Sequence, residues 1–459
     1  MSRLKKNLKK GRSIVINRIK DGMFMNTVFL IASIFKISIF AVLAFAIIGA
    51  LLSSMILATR NKLIGFKPCQ IFINEDENLT KTTKTGSTLL EALLSNGISV
   101  PSPCGGKATC KQCKVQVLKG GGDPLETDKS TFSHHELKEG WRLSCQCKVK
   151  NDISVHIPED LLEVKEFEGV VVSNENVSSF IKELVVEVST DEVIDYKSGG
   201  YLQFHVPPYK TNTSDWKHTM DPIYFPEWEK YKMFGIEIDN SKPVEAIQRA
   251  YSMASYPGEK NILKFTIRIA TPPIVKGAPI SKPWGICSSY VFSLKKGDKV
   301  KFSGPYGESF MVEDSREVVF LIGGAGASFG RSHIMQLFKT DNTKRKVTLW
   351  YGARSLKENI YQDEFEALDK EFENFKYYLV LSEPTEEDYK QGWPKKEDDP
   401  VHTNFVFKAF ELGQLSKMKE PDEALYYVCG PPMHNASVMK LLDDYGVPRE
   451  NIVLDDFGS

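Results

Sequence analysis

Four cysteines constrain this chain more than any other feature. Cys104, Cys110 and Cys113 fall in the run PCGGKATCKQCKV, and Cys145 follows in WRLSCQCKV. The spacing C-x5-C-x2-C-x31-C is one residue longer in its first gap than the plant-type pattern that holds a [2Fe–2S] cluster in four thiolates. Three thiolates in a tight loop and a fourth returning from a later segment suit two bridged irons. Gly105 and Gly106 let the backbone turn closely, so that its N–H groups can face the cluster sulfurs. C-x2-C is also half of a zinc motif, but zinc sites usually pair two such halves, and here the fourth cysteine stands alone. The spacing therefore predicts Cys104, Cys110, Cys113 and Cys145 as iron ligands, with zinc the competing reading.

At 459 residues the chain has room for about three domains. Lys plus Arg equal Asp plus Glu, 59 each, so no nucleic-acid partner is indicated. Eight cysteines are too few for a disulfide scaffold, and thiolate ligands fit a reducing compartment. Cys69 reads as structural. Cys147 would face the same side as Cys145 if both lie on a strand, as a buried neighbour able to replace it. His134 and His135 read as a solvated helix start, not a metal site.

The charge is unevenly placed. Residues 1–20 hold eight Lys/Arg and no acid, and residues 37–58 form a run of 22 without a charge. That run can cross roughly 30 Å of hydrocarbon as a helix, and it is too long for a signal peptide and lacks a clear cleavage site. A single transmembrane helix over 37–58 is expected, behind a basic segment 1–36. The basic residues ahead of it, against Arg60, Lys62 and Lys67 behind, favour an external body. The redox chemistry of thiolate ligands requires the opposite, soluble domains on the cytoplasmic side of the membrane. Initiation at Met23 or Met25 would reconcile the two.

Beyond a short linker, CQIFINED alternates like a strand and STLLEALLSNG reads as a helix. KVQVL and CQCKVKNDISVHIP read as further strands, giving a small α+β module over 66–160. Short β-branched runs from Val164 (FIKELVVEV, GGYLQFHV, LKFTIRIA, DKVKFSGPYG) predict an antiparallel β-barrel over 164–315. Residues 209–247 interrupt it, rich in aromatics, charges and prolines; a loop this long is usually functional or disordered, and the aromatics suggest a docking surface. From Arg316 four strands alternate with helices, predicting a doubly wound α/β domain over 316–459.

Four short motifs carry chemistry. In Arg249-Ala-Tyr251-Ser252, an arginine can pair with phosphate, a tyrosine can stack on a flat heterocycle and a serine can bond a ring nitrogen. Gly285-Ile-Cys287-Ser288 is a small-residue turn whose N–H groups can meet a pyrophosphate at a helix start. Gly323-Gly324-Ala325-Gly326 follows the strand VVFLI, where a doubly wound sheet binds a dinucleotide pyrophosphate. Cys429-Gly430-Pro431-Pro432 closes the strand LYYV at the sheet's ligand-binding end.

In this order the motifs resemble the ferredoxin–NADP reductase superfamily. With the cysteine module and a single span ahead of them, and the ending LDDFGS, the chain resembles the F subunits of bacterial Na+-translocating NADH:quinone reductases over essentially its whole length. The resemblance implies a β-grasp-like ferredoxin domain with a [2Fe–2S] cluster, an FAD barrel and an NADH domain. It implies that Arg249 binds FAD phosphate, Tyr251 stacks on the isoalloxazine and Ser252 lies near N5. Gly285, Cys287 and Ser288 would line the FAD pyrophosphate, and Gly323, Gly324 and Gly326 would face the NADH pyrophosphate. Cys429, with Gly430 after it, would sit beside the nicotinamide, and Phe457 would cover the flavin. After GGAG this chain has Phe329 where the family commonly has proline.

The resemblance also implies a route for electrons: NADH gives hydride, FAD splits the electron pair, and the cluster passes single electrons to other membrane subunits and, through them, to quinone. The span has no acidic residue, so no sodium path is expected in this chain. Arg354 and Ser355 stand where a 2′-phosphate would bind, but the family indicates NADH. The alternative is the reductase component of an oxygenase system, which gives no reason for the apolar span.

Overall fold

The computed structural model describes residues 36, 38–56, 59, 67–162, 164–189, 194–243 and 247–456. The basic segment 1–35 and Phe457 lie outside them. The chain divides into two compact units, Met1–Pro68 and Cys69–Ser459. In the first, Ser38–Ile56 forms one helix of 19 residues with mean hydropathy 2.6. At 1.5 Å per residue it is about 28 Å long, close to a hydrocarbon thickness.

The second unit opens with a mixed five-stranded sheet. Its strands are β1 (Pro68–Ile73), β2 (Asp76–Lys84), β3 (Lys114–Lys119), β4 (Trp141–Leu143) and β5 (Ile153–His156), in the order β2-β1-β5-β3-β4. β1 and β5 run parallel. Alternation in β1 sends Cys69, Ile71 and Ile73 inward, onto the helix Leu89–Leu94. A capping box starts that helix: Thr88 Oγ1 accepts from Glu91 N–H at 3.1 Å and Glu91 Oε2 from Thr88 N–H at 2.7 Å. The expected strand through CQCKV does not form. Residues 144–146 turn, and only Thr88 and Lys148 bridge. Cys145 and Cys147 therefore do not share a strand face; Cys147 Sγ points to Gly121 O at 3.9 Å. His134 and His135 begin an exposed, Ser133-capped helix, as expected.

Six antiparallel strands come next: β6 (Lys165–Ser178), β7 (Ile181–Val188), β8 (Tyr201–Val206), β11 (Ile247–Ser252), β12 (Ile262–Arg268) and β15 (Lys299–Tyr306), ordered β11-β8-β15-β6-β7-β12. Among the described residues the end strands β11 and β12 are not ladder-paired. A backbone bond from Ala254 N to Lys264 O, 2.6 Å, ties the chain just past β11 to β12. Phe204, Phe265, Phe302 and Leu184 fill the interior.

The interruption after β8 is folded. β9 (Tyr209–Asn212) pairs with β10 (Glu237–Asn240), enclosing short helical turns and the helix Phe225–Lys230. Its aromatics do not form the expected docking surface. Trp216, Tyr224 and Trp228 are buried with Trp284 and Phe292, which pins the segment to the helix Ile286–Ser293. A two-stranded hairpin, β13 (Ile274–Val275) with β14 (Ala278–Pro279), precedes that helix.

The last sheet is parallel: β16 (Val318–Gly323), β17 (Val347–Ala353), β18 (Phe375–Leu381), β19 (Leu425–Cys429) and β20 (Ile452–Leu454), ordered β18-β17-β16-β19-β20. β20 adds a fifth strand to the four read from the sequence. Residues of β16 alternate between two cores: Val318, Phe320 and Ile322 pack on one face, Val319 and Leu321 on the other. The strand order reverses between β16 and β19, so their following turns flank the crevice where such sheets bind ligands.

Candidate active site and cluster loop

The cysteine loop is built from left-handed backbone. Gly105, Gly106, Ala108 and Lys111 all have positive φ, between 58° and 88°, and this winding turns successive N–H groups inward. N–H groups of Thr109 and Cys110 lie on Cys104 sulfur, that of Gln112 on Cys110 and that of Ala108 on Cys145. The thiols meet in pairs. Cys110 Sγ donates to Cys104 Sγ at 3.2 Å, and Cys113 is hydrogen-bonded to Cys145. Within each pair the shared proton lowers one thiol and raises the other: the bond from Cys110 holds Cys104 down and pushes Cys110 up, and the bond from Cys113 lowers Cys145 and raises Cys113. Among the described residues, no three Cys, His, Asp or Glu side chains converge on one ion position. Two thiol pairs fit two irons with two thiolates each and do not fit one tetrahedral zinc. Three of the four cysteines are buried, and Cys110 is partly exposed.

A cavity of about 1020 Å³ runs from this loop into the six-stranded sheet and on to the parallel sheet. Among its lining are Cys104 and Cys145, Arg249, Tyr251 and Ser252, Gly285, Cys287 and Ser288, and Gly430. Cys104 of the cysteine loop and Ala325 of the turn after β16, far apart in sequence, thus face one space. Tyr251 packs edge-on to Phe204, ring centroids 5.4 Å apart, and is hydrogen-bonded to Cys287, whose thiol burial pushes up to about 11. The helix Ile286–Ser293 starts at Gly285 with no side-chain cap, leaving its first N–H groups for an anion. Ser288 Oγ, by contrast, is engaged in shaping the turn. It accepts from Ala270 N–H at 3.1 Å and donates to Gly285 O at 3.0 Å. A Cβ at Gly285 would fall 2.5 Å from that of Ala270, so the turn tolerates only glycine. These uncapped amides, the arginine and the flat tyrosine suit a dinucleotide flavin.

On the parallel sheet, Ala325 and Ser328 line the cavity, while Gly323, Gly324 and Gly326 are not part of that lining. Gly326 is required by close approach, because a Cβ there would meet Cys429 O at 2.4 Å. Cys429 itself is fully buried and does not line the cavity; burial, then Asp455 and Asp456, keep its thiol protonated. Phe329 sits inside the helix Ala327–Met335, edge-on to His333 with centroids 4.6 Å apart, filling core rather than stiffening the turn. The sequence reading missed Asp455, in the ending LDDFGS. Its Oδ2 accepts from Ser252 Oγ at 2.9 Å, and burial with the nearby Asp456 raises its carboxyl to about 6. Arg354 is engaged by Glu358, Nη2 to Oε1 at 3.1 Å, and lies over the Phe180 ring.

This combination of folds and cavity defines a flavin- and iron–sulfur-dependent NADH oxidoreductase. Residues 71–150 match the 2Fe-2S iron-sulfur cluster binding domain, 234–310 the oxidoreductase FAD-binding domain and 320–438 the oxidoreductase NAD-binding domain. The F subunit of the Na(+)-translocating NADH-quinone reductase of Chlamydia pneumoniae is 60% identical over 91% of this chain and 97% of its own length. The F subunit from a Marinomonas species is 44% identical, over 92% and 98%. The chain belongs to the family of F subunits of the Na(+)-translocating NADH-quinone reductase. Among solved structures, an Amycolatopsis cytochrome P450 reductase superposes with a TM-score of 0.53 at 20% identity, over 85% of this chain and 98% of that one. That likeness concerns the fold.

Proposed function

We propose that this chain is the electron-input subunit of a membrane Na+-translocating NADH:quinone reductase, oxidising NADH and passing single electrons through FAD and a [2Fe–2S] cluster to other membrane subunits. The observation that carries the reading is the single cavity bounded by the cysteine loop, the RxYS strand, the GxCS turn and the turns after β16 and β19. A bound flavin takes two electrons together as hydride and yields them singly.

The chain's own residues divide the remaining work. Arg249 and the uncapped amides after Gly285 would hold the FAD phosphates, with Cys287 packed behind Tyr251. Tyr251 would support the ring plane. Gly323, Gly324 and Gly326 would keep the turn after β16 thin enough for the NADH pyrophosphate, and Gly430 would do the same after β19. Ser252 would stand at the hydride-transfer locus, its hydroxyl oriented by Asp455. Cys429, as a buried neutral thiol, would shape the floor beneath the nicotinamide, and Phe457 would cover the flavin. Cys104 with Cys110, and Cys113 with Cys145, would each hold one iron. Because Glu358 already meets the charge of Arg354, a 2′-phosphate would find that arginine occupied, which supports NADH over NADPH.

The domains would run as ferredoxin 66–160, FAD 164–315 with the insertion 209–247, and NADH 316–459. The helix over 37–58 would anchor the chain in the bacterial inner membrane as a single pass, its domains cytoplasmic where NADH is. The described span, Ser38–Ile56, contains no ionisable residue, so sodium movement would belong to the other subunits, and quinone reduction with it.

The test uses full-length chain in detergent, loaded with FAD and cluster, mixed anaerobically with NADH. Flavin bleaching followed by an electron paramagnetic signal from the reduced cluster is expected. Bound flavin that NADH does not bleach would overturn the reading, and a preference for NADPH would overturn the choice of dinucleotide.

A further inference from the structure

The six-stranded sheet grips the cysteine loop at three points. On β8, Tyr201, Gln203 and His205 share one face, because alternate residues of a strand point the same way. Gln203 is fully buried. Its Oε1 accepts from Ser102 N–H at 2.7 Å and from Ser102 Oγ at 3.3 Å, and its Nε2 donates to Val100 O at 3.4 Å. Ser102 stands two residues before Cys104. Tyr201 OH donates to Gln112 Oε1 at 2.8 Å, beside Cys113. From β11, Arg249 lies over Gly105, where a Cβ would come within 2.0 Å of Nη1.

The grips are connected. Gln203 Nε2 reaches Gln248 Oε1 at 3.5 Å, and Arg249 Nη1 donates to Gln248 O at 2.6 Å. Gln248 Nε2 in turn meets His205 Nε2 at 3.1 Å, and His205 Nε2 lies 3.2 Å from Ser303 Oγ. A buried N–H left unpaired is strongly unfavourable, so the Ser102 amide specifies this docking. Neither Tyr201 nor Gln203 lines the cofactor cavity. Their contacts serve the seat of the loop, not the binding of flavin or nucleotide.

We propose that Tyr201 and Gln203 are positioning residues for electron transfer: they hold the loop that carries Cys104 and Cys113 against the six-stranded sheet, with Cys104 at the cavity wall, and thereby set the rate at which electrons pass from flavin to cluster. The inference rests on the function proposed above. The two electrons that enter as one hydride leave singly. The first electron to leave the reduced flavin reduces the oxidised cluster, the cluster hands it to a one-electron acceptor of another subunit and is thereby reoxidised to take the second, the single proton left from the hydride goes to water, and no bond forms between flavin and cluster.

The experiment compares Tyr201→Phe, Gln203→Met and the double variant in the full-length, cofactor-loaded chain, mixed anaerobically with NADH. Flavin bleaching and cluster reduction are timed separately, and hydrogen exchange is measured at the backbone around Ser102. Flavin bleaching should keep the wild-type rate. Cluster reduction in the double variant should slow severalfold, since the rate of electron transfer falls exponentially as donor and acceptor move apart. Exchange at Ser102 should quicken in Gln203→Met. Tyr201→Phe removes a single oxygen atom and guards against misfolding; it should slow cluster reduction by a smaller factor. Wild-type cluster reduction in the double variant, or unchanged exchange at Ser102, would overturn the proposal. Failure of the unaltered chain to bleach with NADH would instead overturn the function on which it rests.

Discussion

The cysteine loop 104–113 and the insertion 209–247 are both irregular segments between strands, and they are held in opposite ways. The insertion supplies large aromatics to a core that it shares with Trp284 and the helix Ile286–Ser293. Trp216 and Trp228 meet edge-on with centroids 5.8 Å apart, Trp228 stacks on Phe234 at 5.5 Å, and its Nε1 donates to Ser179 O at 2.6 Å. The loop buries little apolar surface of its own. Its shape rests on four left-handed residues, two thiol pairs and the grip of β8 and β11. A segment with large aromatics can order itself by burial. A segment that must present sulfurs to a metal group leaves its stability to ligand and neighbours.

That contrast can be broken most severely at Cys145. Cys145→Ser should abolish cluster content, measured as bound iron, while leaving FAD content intact. Cys147 should not replace it, because its sulfur faces Gly121 on another side. Bound iron persisting in this variant but vanishing in Cys145→Ser/Cys147→Ser would show that the loop can rearrange. Next in size, Trp228→Ala should destabilise the insertion by about 3–5 kcal/mol, read as a lower unfolding midpoint, with the cluster's spectrum unchanged. A loss of cluster in that variant would mean that the two regions are coupled. Chelating the iron should quicken hydrogen exchange across 104–113 and leave 213–236 at its holo rate.

Two buried ionisable groups sharpen the comparison by smaller amounts. Asp455 has its folded carboxyl raised from the ordinary aspartate range to about 6 by burial. The folded state therefore holds the proton more tightly, and stability present at low pH is lost as pH rises through that window. Asp455→Asn should raise the melting temperature at about pH 8, corresponding to roughly 1–3 kcal/mol, and change it little at about pH 4. It should also impair NADH oxidation modestly, because an amide oxygen accepts from the Ser252 hydroxyl more weakly than a carboxylate does. Lys182, fully buried beside the insertion over the Phe292 ring, is lowered to about 7 by burial. Its folded state resists protonation, so stability is lost as pH falls from the ordinary lysine range towards 7. Lys182→Met should therefore be neutral or stabilising at about pH 7, within roughly 1 kcal/mol, with its advantage shrinking towards about pH 10. A strong destabilisation would reveal that the bond from Lys182 to Thr219 anchors the insertion.

The cofactor motifs were legible because each is local. Three cysteines close together, a glycine turn after an apolar run and a capping box all act over a few residues, and short-range sterics decide them. The aromatic insertion reads as a docking surface because composition does not say which way an aromatic points. Trp216 and Trp228 turn inward only because the helix Ile286–Ser293 offers them a wall. CQCKV reads as a strand from its alternation, but the returning thiol needs a turn there to reach Cys113. Asp455 has no motif to announce it. Its meaning comes from Ser252, more than 200 residues earlier in the chain.

The sequence alone singled out the four cysteines, the order of the three folded modules, the apolar span and the family, because those rest on residue types at short spacing and on periodicity. Tertiary structure decided what spacing cannot encode. It paired the cysteines two by two, sealed Cys429 behind Gly326, occupied Ser288 within its own turn and seated the cysteine loop on Tyr201 and Gln203. Each of these is a contact between distant segments, fixed by which buried groups must find a partner once the sheets have packed.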